Sequence, residues 1–455
     1  MTMDTTMGTT LGKTSLTRRY FITILGSSAA LAGLSACALG STNKAAAPST
    51  GPAKLDVAQT IEIWDYDPTG IDVWVAADKA FAAYFKEKYP KITIKRSQAP
   101  FAGFAEGLLT SVAGGAKYDV IYGWAPWLPQ FMKNNVVSAL DPFLKNDGTV
   151  SAASFQDYGK DVVDGSTYGL AWYASADFLF YNKTALAAAG LADPAKLDAA
   201  GQWTYDAFQK LAKGATTTGT KPIYGFDMGT TRGSGDYSAF SRGWGSDLWD
   251  KGFTKSLLDS PENVKLWGWI QNFYQQKLTP LPSEGSGLAE SVGFGDKRIM
   301  MMISGANYFR QAAQDKVPAK FDIGMSRIPA GPGGQAHVAY LNSYFMGSRG
   351  SNAAGGWAWY KERSFSDKAS ALYVDTGASR FPVRKDQKPV TRYAWEDPNL
   401  FTLIGKDMYP VRVAPVQTKF DALYGAAWDN MVLKSGTPQE LLTKLAADSN
   451  ALLKS

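Results

Sequence analysis

The stretch IEIWDYDPTGID, residues 61 to 72, sets two carboxylates, Asp65 and Asp67, beside Trp64 and Tyr66 and ahead of Gly70. Asp-x-Asp-x-x-Gly opens a calcium loop, in which carboxylate oxygens surround the ion and the glycine makes a sharp turn. Such a loop needs a bidentate acid at its twelfth position, where this chain has Ala76, and Pro68 interrupts the polar spacing. A solvated turn explains the acids but not the aromatic residues beside them. A sugar-gripping lip explains both, because carboxylates accept paired hydroxyl hydrogen bonds while an aromatic face packs on the C–H face of a sugar ring.

Catalytic material is scarce. His337 is the only histidine and Cys37 the only cysteine, and no G-x-S-x-G, Walker or dinucleotide-binding glycine pattern occurs. GFGDKR (293–298) does not have the form of a phosphate loop. No metal and no cofactor is expected. The two carboxylates of a glycosidase can lie far apart in a chain, so a secreted glycan-cleaving enzyme stays open as a reading of another class.

Further aromatic and polar groups recur along the chain. Trp124 and Trp127 lie in YGWAPWLPQF directly after a strand pattern, where ligands of open α/β sheets bind. Trp244 and Asp247 lie in SRGWGSDLWD among glycines that permit close backbone approach, with Trp249 reading as packing. Tyr340 and Asn342 sit in the strand pattern HVAYLNSYFMGS (337–348).

The elements that must position these residues are legible from periodicity. QTIEIWD alternates as a strand, DVWVAADKAFAAYFKEKYP repeats apolar residues at three and four up to Pro90, and KITIKR alternates again. This is a βαβ unit, whose crossover makes both strands parallel. A helix in GFAEGLLTSVAGG leads to YDVIYGW, a strand with a continuous apolar middle, as expected when both faces are covered. YGLAWYASADFLFYNK (168–183) is a long β run, KRIMMMISG (297–305) a later strand, and Thr437, Pro438 and Glu440 form a capping box before LLTKLAA. No internal repeat is evident.

The first 36 residues have the order of a secretion signal: Arg18 and Arg19, then a 14-residue apolar and small run from Ile22 to Ser35, too short to cross the ~30 Å of a bilayer. Leu34-Ser35-Ala36-Cys37 resembles a lipobox, which makes Cys37 the expected site of lipidation. Residues 37–56 read as a flexible tether rich in Ala, Ser, Thr, Gly and Pro. Cleavage before Cys37 removes Lys13, Arg18, Arg19 and Asp4, taking the net charge from +6 to +4. That is too mild, and too scattered, for a nucleic-acid partner. The 419 residues left of 455 exceed what one core usually serves. Twenty-two Tyr and fourteen Trp suit sites that are half apolar and half wet, though most must fill core.

The ordered run FAAYFKEKYPKITIK, AGGAKYDVIYGWAPWLPQFMKNNVVSALDPFLK, YGLAWYASADFLFYNKTALAAAGL, WTYDAFQKLAKGA, GFGDKRIMMMISGANYF and GASRFPVRKD resembles the bacterial extracellular solute-binding proteins of ABC importers, in particular the carbohydrate-binding group. The resemblance implies an α/β, two-lobed fold of the periplasmic-binding type with a hinge, lobe 1 being 57–172 with 338–380 and lobe 2 being 173–337 with 381–455. It implies a sugar or oligosaccharide in the cleft, with a polyol, a glycerol phosphodiester or an opine as alternatives; Arg232 and Arg242 are candidates for a phosphate. It also implies ABC permease subunits as partners, export to the periplasm or the outer face of the cell membrane on a lipid anchor, and a monomer. The cleft residues carried over are Trp64, Asp65, Asp67, Trp124, Tyr173, Asp177, Trp244, Asp247, Asn307, Tyr308, Tyr340, Asn342 and Arg380. At Asn307 and Tyr308 the family often offers a Trp, so this chain departs from the pattern there.

Overall fold

The computed structural model describes residues 55–69, 72–284, 293–305, 320–375, 381–391, 393, 395–412, 414 and 416–454. The expected signal, the lipobox Cys37, most of the tether, Asn307, Tyr308 and Arg380 lie outside the described residues. Strands β1 (Gln59–Tyr66), β2 (Ile92–Ala99) and β3 (Val120–Trp124) pair in parallel in the order β2-β1-β3. The helix Asp72–Lys88 joins the first two. Its Trp74, Ala77, Phe81 and Phe85 are buried with Ile61 and Ile63, the apolar stripe of an amphipathic helix laid on a sheet. Pro90 ends it, because proline disfavours helical backbone in the residue before it.

Short strands β4 (Val137–Ser138) and β5 (Lys160–Val163) precede β6 (Ser166–Asn182), and β7 (Met301–Gly305), β8 (Ile323–Ser326), β9 (His337–Gly347) and β10 (Met408–Pro410) follow. The sheet continues from β3 to β9, β6 and β5, with β9 antiparallel to both β3 and β6. The far end of β6 pairs with β7 and β8, and the start of β9 pairs with β10. β7 is shorter than the expected 297–305, because Lys297 takes a left-handed conformation at φ 63° and closes a 3-10 turn over Phe294–Asp296. The capping box at Thr437 and Glu440 is formed in full.

Two aromatic-rich cores result. The first holds the parallel sheet and its helices; the second gathers the helices Tyr205–Ala215, Ser234–Gly243, Pro261–Gln275, Gln417–Val432 and Pro438–Leu453. β6 and β9 serve both. Phe178 and Phe180 enter the first core while Leu179 and Tyr181 enter the second, and Ala339 and Leu341 part from Val338 in the same way. The first core also takes Phe381, Val383, Phe401 and Ile404, from a segment expected with the second lobe, because the Phe381 and Phe401 rings pack at a tilt on Phe178.

His337 starts β9 fully buried, its Nδ1–H donating to the Asp177 carbonyl at 3.2 Å and its Nε2 without a partner among the described residues. Burial pushes its pKa down to about 3, so it stays neutral in the folded protein where the unfolded chain takes a proton below the usual 6.5. Stability should therefore fall as pH drops from about 6.5 toward 3, at up to ~1.4 kcal/mol per pH unit from this group. Denaturant unfolding of the wild type and His337→Gln between pH 7.5 and 4.5 checks this. The wild type should lose stability relative to the variant below pH 6.5; parallel curves would contradict it.

Candidate functional site

The carboxyl ends of the parallel strands are crowned by aromatic rings. Tyr66 ends β1, Phe101 follows β2, and Trp124 ends β3; Phe101 lies 6.3 Å from Tyr66 and 5.1 Å from Trp124, ring centre to centre. Phe101 is 45% exposed. Gly123 lets β3 place Trp124 there, since a Cβ at that position would meet the Phe345 ring at 1.9 Å.

Opposite this edge, two cavities share Val411. One, about 570 Å³, lies between Trp124 and Pro126 on one side and Arg232, Asp236, Tyr340 and Tyr424 on the other. The second, about 420 Å³, lies between Ala125, Pro129 and β5 on one side and Arg242, Lys251 and Arg412 on the other. Grooves of about 610 and 600 Å³ occur elsewhere, but no wall of either comes from residues 55–182 or from β9. The first two cavities have walls both from the strand ends of the parallel sheet and from the helices of the second core, as a ligand gripped from two sides requires.

Tyr340 forms the floor of the larger cavity. Its hydroxyl donates to Asp236 of the helix Ser234–Gly243 and lies 3.2 Å from Asp177 Oδ2 of β6. Burial, and then the charge of Asp236, pushes the Asp177 carboxyl well above the usual carboxylate range; burial raises Asp236 as well. The pair thus retains a proton more readily than solvated acids do. Arg232 is held by both oxygens of Asp429, at 2.8 and 2.7 Å.

A model of the bacterial extracellular solute-binding proteins matches residues 72–363. The chain belongs to that family. A binding protein of Brucella abortus (strain 2308) is 25% identical over 431 residues, 93% of this chain and 97% of that one. Among solved structures, the ABC substrate-binding protein of Listeria monocytogenes in complex with cycloalternan superposes with a TM-score of 0.74 at 18% identity, covering 87% of this chain and 99% of the other. The receptor of Streptomyces glaucescens solved with acarbose gives 0.69 at 18% identity, covering 88% and 99%. The fold of this solute-binding protein is accordingly two-lobed and periplasmic-binding-like. The family is one of exported binding proteins rather than enzymes. Among the described residues no helix is long and apolar enough to cross a membrane.

Of the residues expected in the cleft, Trp124, Tyr340 and, behind it, Asp177 are brought together. Trp64 and Asp65 do not form the expected lip. Trp64 packs 5.8 Å from Phe104 and 5.4 Å from Tyr118 under the helix Phe104–Ala113, with Gly107 close against it. Asp65, on the other face of the strand and 2% exposed, accepts from Arg96 Nε at 2.8 Å, the Tyr66 amide at 2.9 Å and the Tyr344 hydroxyl at 3.1 Å. Asp67 remains part-exposed at the strand end, capped by the Thr69 amide and hydroxyl, which lower its pKa.

Tyr173 is buried against Trp74 rather than open to the cleft. Asn342 pairs in register with Trp124 and accepts the Tyr122 hydroxyl. Trp244 packs on Tyr205 and Trp269 in the second core, and Asp247 is 9% exposed behind Arg242 and Arg412. Sequence reasoning passed over Asp236 and Phe101. Phe101 could have been found by applying the strand-end rule to β2; Asp236, one acid in a helical pattern, carried no signal.

Replacing Asp65 should test its structural role. Asp65→Ala leaves Arg96 with Asp78 alone at 3.4 Å while a quarter of the arginine side chain reaches solvent (25%). The expected loss is about 2–3 kcal/mol, below that of a sealed pair, read as a lowered midpoint in denaturant unfolding. An unchanged midpoint would return Asp65 to the list of ligand contacts.

Proposed function

We propose that this protein is the lipid-anchored, substrate-binding component of an ABC importer and binds a sugar or oligosaccharide in the cleft between its lobes. The observation that carries this reading is the two-sided cavity in which Trp124, at the end of a parallel strand, faces Tyr340 and Asp236. A flat aromatic ring and hydrogen-bonding oxygens across a gap are what a pyranose, apolar on its face and hydroxylated at its rim, requires. The cycloalternan and acarbose complexes of proteins with the same fold support the choice of ligand class.

In this reading the anchor is a lipid on Cys37, carried by a flexible tether, and single copies deliver ligand to permease subunits at the outer face of the membrane. Lobe 1 comprises 57–172 with 338–380 and lobe 2 comprises 173–337 with 381–455, except that the stretch carrying Phe381, Val383, Phe401 and Ile404 packs with the first core. A sugar touching both walls favours the closed arrangement by its differential affinity, and closure presents a surface to the permease. Trp124 and Tyr340 contact the ring, while Asp236, Asp67 and Asn342 take hydroxyls. Asn307, Tyr308 and Arg380 stay as further candidates.

A thermal-shift screen against mono- and oligosaccharides should find a ligand that stabilises the protein and is recovered uncleaved. Trp124→Ala should weaken that ligand about tenfold, the ~1.4 kcal/mol of a lost stacking contact, whereas Trp64→Ala should lower stability and leave affinity unchanged. Turnover of the oligosaccharide, or full affinity in Trp124→Ala, would overturn the reading.

A further inference from the structure

The smaller cavity has a different chemistry from its neighbour. Arg242 Nε and Nη2 donate to Asp247 Oδ2 at 3.1 and 2.9 Å, and Arg412 Nη1 donates to the same oxygen at 3.0 Å. Asp247 Oδ1 is taken by the Leu248 amide at 2.7 Å. One inward-turned carboxylate therefore serves two guanidinium groups. Arg412 is further tied to the carbonyls of Trp249 and Asp250, but Arg242 Nη1 has no partner among the described residues. The Arg242 guanidinium carbon lies over the Tyr409 ring, 3.5 Å from its centre, with 30% of the side chain exposed.

Lys251 lines the same cavity, is exposed, and makes no ion pair among the described residues. The Asp250 carboxylate is turned onto the Thr254 and Lys255 amides at 2.7 and 2.9 Å. On the facing wall Lys160 and Asp157 neutralise each other at 2.7 Å, and Asp161 is buried under the Ser343 hydroxyl. Among the described residues, Arg242 Nη1 and the Lys251 ammonium are N–H groups left to meet a ligand on this wall. The neighbouring cavity has Asp236 and Asp421 on its wall, and its one arginine, Arg232, is ion-paired with Asp429 through Nη2.

We infer that the smaller cavity is a subsite for an anionic group, so that the ligand is a carbohydrate bearing a carboxylate or a phosphate at one end. An arginine held over a ring, with an open N–H edge and an exposed ammonium lining the same cavity, is suited to such oxygens. The uncharged rings lie over Trp124 and Tyr340, and the acid end lies between Arg242 and Lys251. This inference rests on the carbohydrate reading above and deepens it.

The test is titration of the purified full-length protein with matched ligands: neutral disaccharides, the same disaccharides ending in a uronic acid, and the same disaccharides carrying a terminal phosphate. One acidic form should bind at least tenfold more tightly than its neutral counterpart, and that advantage should shrink as salt rises from 0.05 to 0.5 M. Whether the uronate or the phosphate gains identifies the anion. Lys251→Gln, an exposed change, should remove at least half of the logarithmic advantage, and Arg242→Gln, if it folds, more. Neutral forms binding as tightly as acidic ones, or an advantage that survives Lys251→Gln unchanged, would overturn the anionic subsite while leaving the carbohydrate reading intact. If neither kind of sugar binds, the carbohydrate reading itself fails.

Discussion

The antiparallel pairing of β6 with β9 is the constraint on which the rest of this molecule depends. The two strands run side by side from Gly169 opposite Phe345 to Ala176 opposite Ala339, and beyond that β6 goes on alone to collect β7 and β8. Because successive side chains leave a strand on opposite faces, the same two backbones fill two cores at once. The polar residues at the crossing, Asp177 and Tyr340, cannot enter either core unpaired. They are satisfied by each other and by Asp236, which fixes the floor of the larger cavity.

A second buried network holds the first core. Arg363 pairs with Asp78 at 2.8 Å and is enclosed by Phe81, Trp172, Tyr344 and Tyr373, whose ring centres lie 4.4 to 5.5 Å from its guanidinium carbon. Arg96 links Asp78 to Asp65, so two carboxylates balance two guanidinium groups, of which Arg363 is buried and Arg96 partly exposed. Burying such charges costs more than their attraction returns unless the remaining polar atoms are bonded; the Tyr344 and Tyr373 hydroxyls serve the carboxylates of Asp65 and Asp78, while Arg363 Nε and Nη1 face aromatic rings without a hydrogen-bond partner among the described residues. The high aromatic content therefore has two destinations. Part of it cages charge and fills the cores, and a smaller part, at the strand ends, reaches the cleft.

That division marks what was legible in the sequence. The βαβ unit, the buried strand after it and the final helix follow from periodicity and capping, which are local, and each is where the spacing puts it. The fate of Asp65 was not legible, because its partner Arg96 lies 31 residues away on the neighbouring parallel strand. Trp64 and Tyr66 share a face, yet only Tyr66 reaches the rim, since Trp64 sits one step deeper under Gly107. The irregular register between Ala171 and Tyr173 sends the adjacent Trp172 and Tyr173 both onto Trp74, which an alternation rule forbids. Local pattern finds elements; it does not find which of two neighbours turns inward.

The segment 408–412 joins these observations. β10 runs parallel to the start of β9, and the Val411 amide donates to the Ala339 carbonyl at 3.2 Å, so the segment is fastened to the crossing strand itself. From there Tyr409 carries the guanidinium of Arg242 over its ring and meets Ser238 through its hydroxyl, Val411 lines both cavities, and Arg412 holds Asp247. A ligand that fills both cavities therefore presses on one short stretch from two sides, whereas one that fills a single cavity touches it once. Because that stretch is hydrogen-bonded to the strand that supplies Tyr340, the stacking floor and the cationic wall are set by the same backbone, and they cannot be displaced independently.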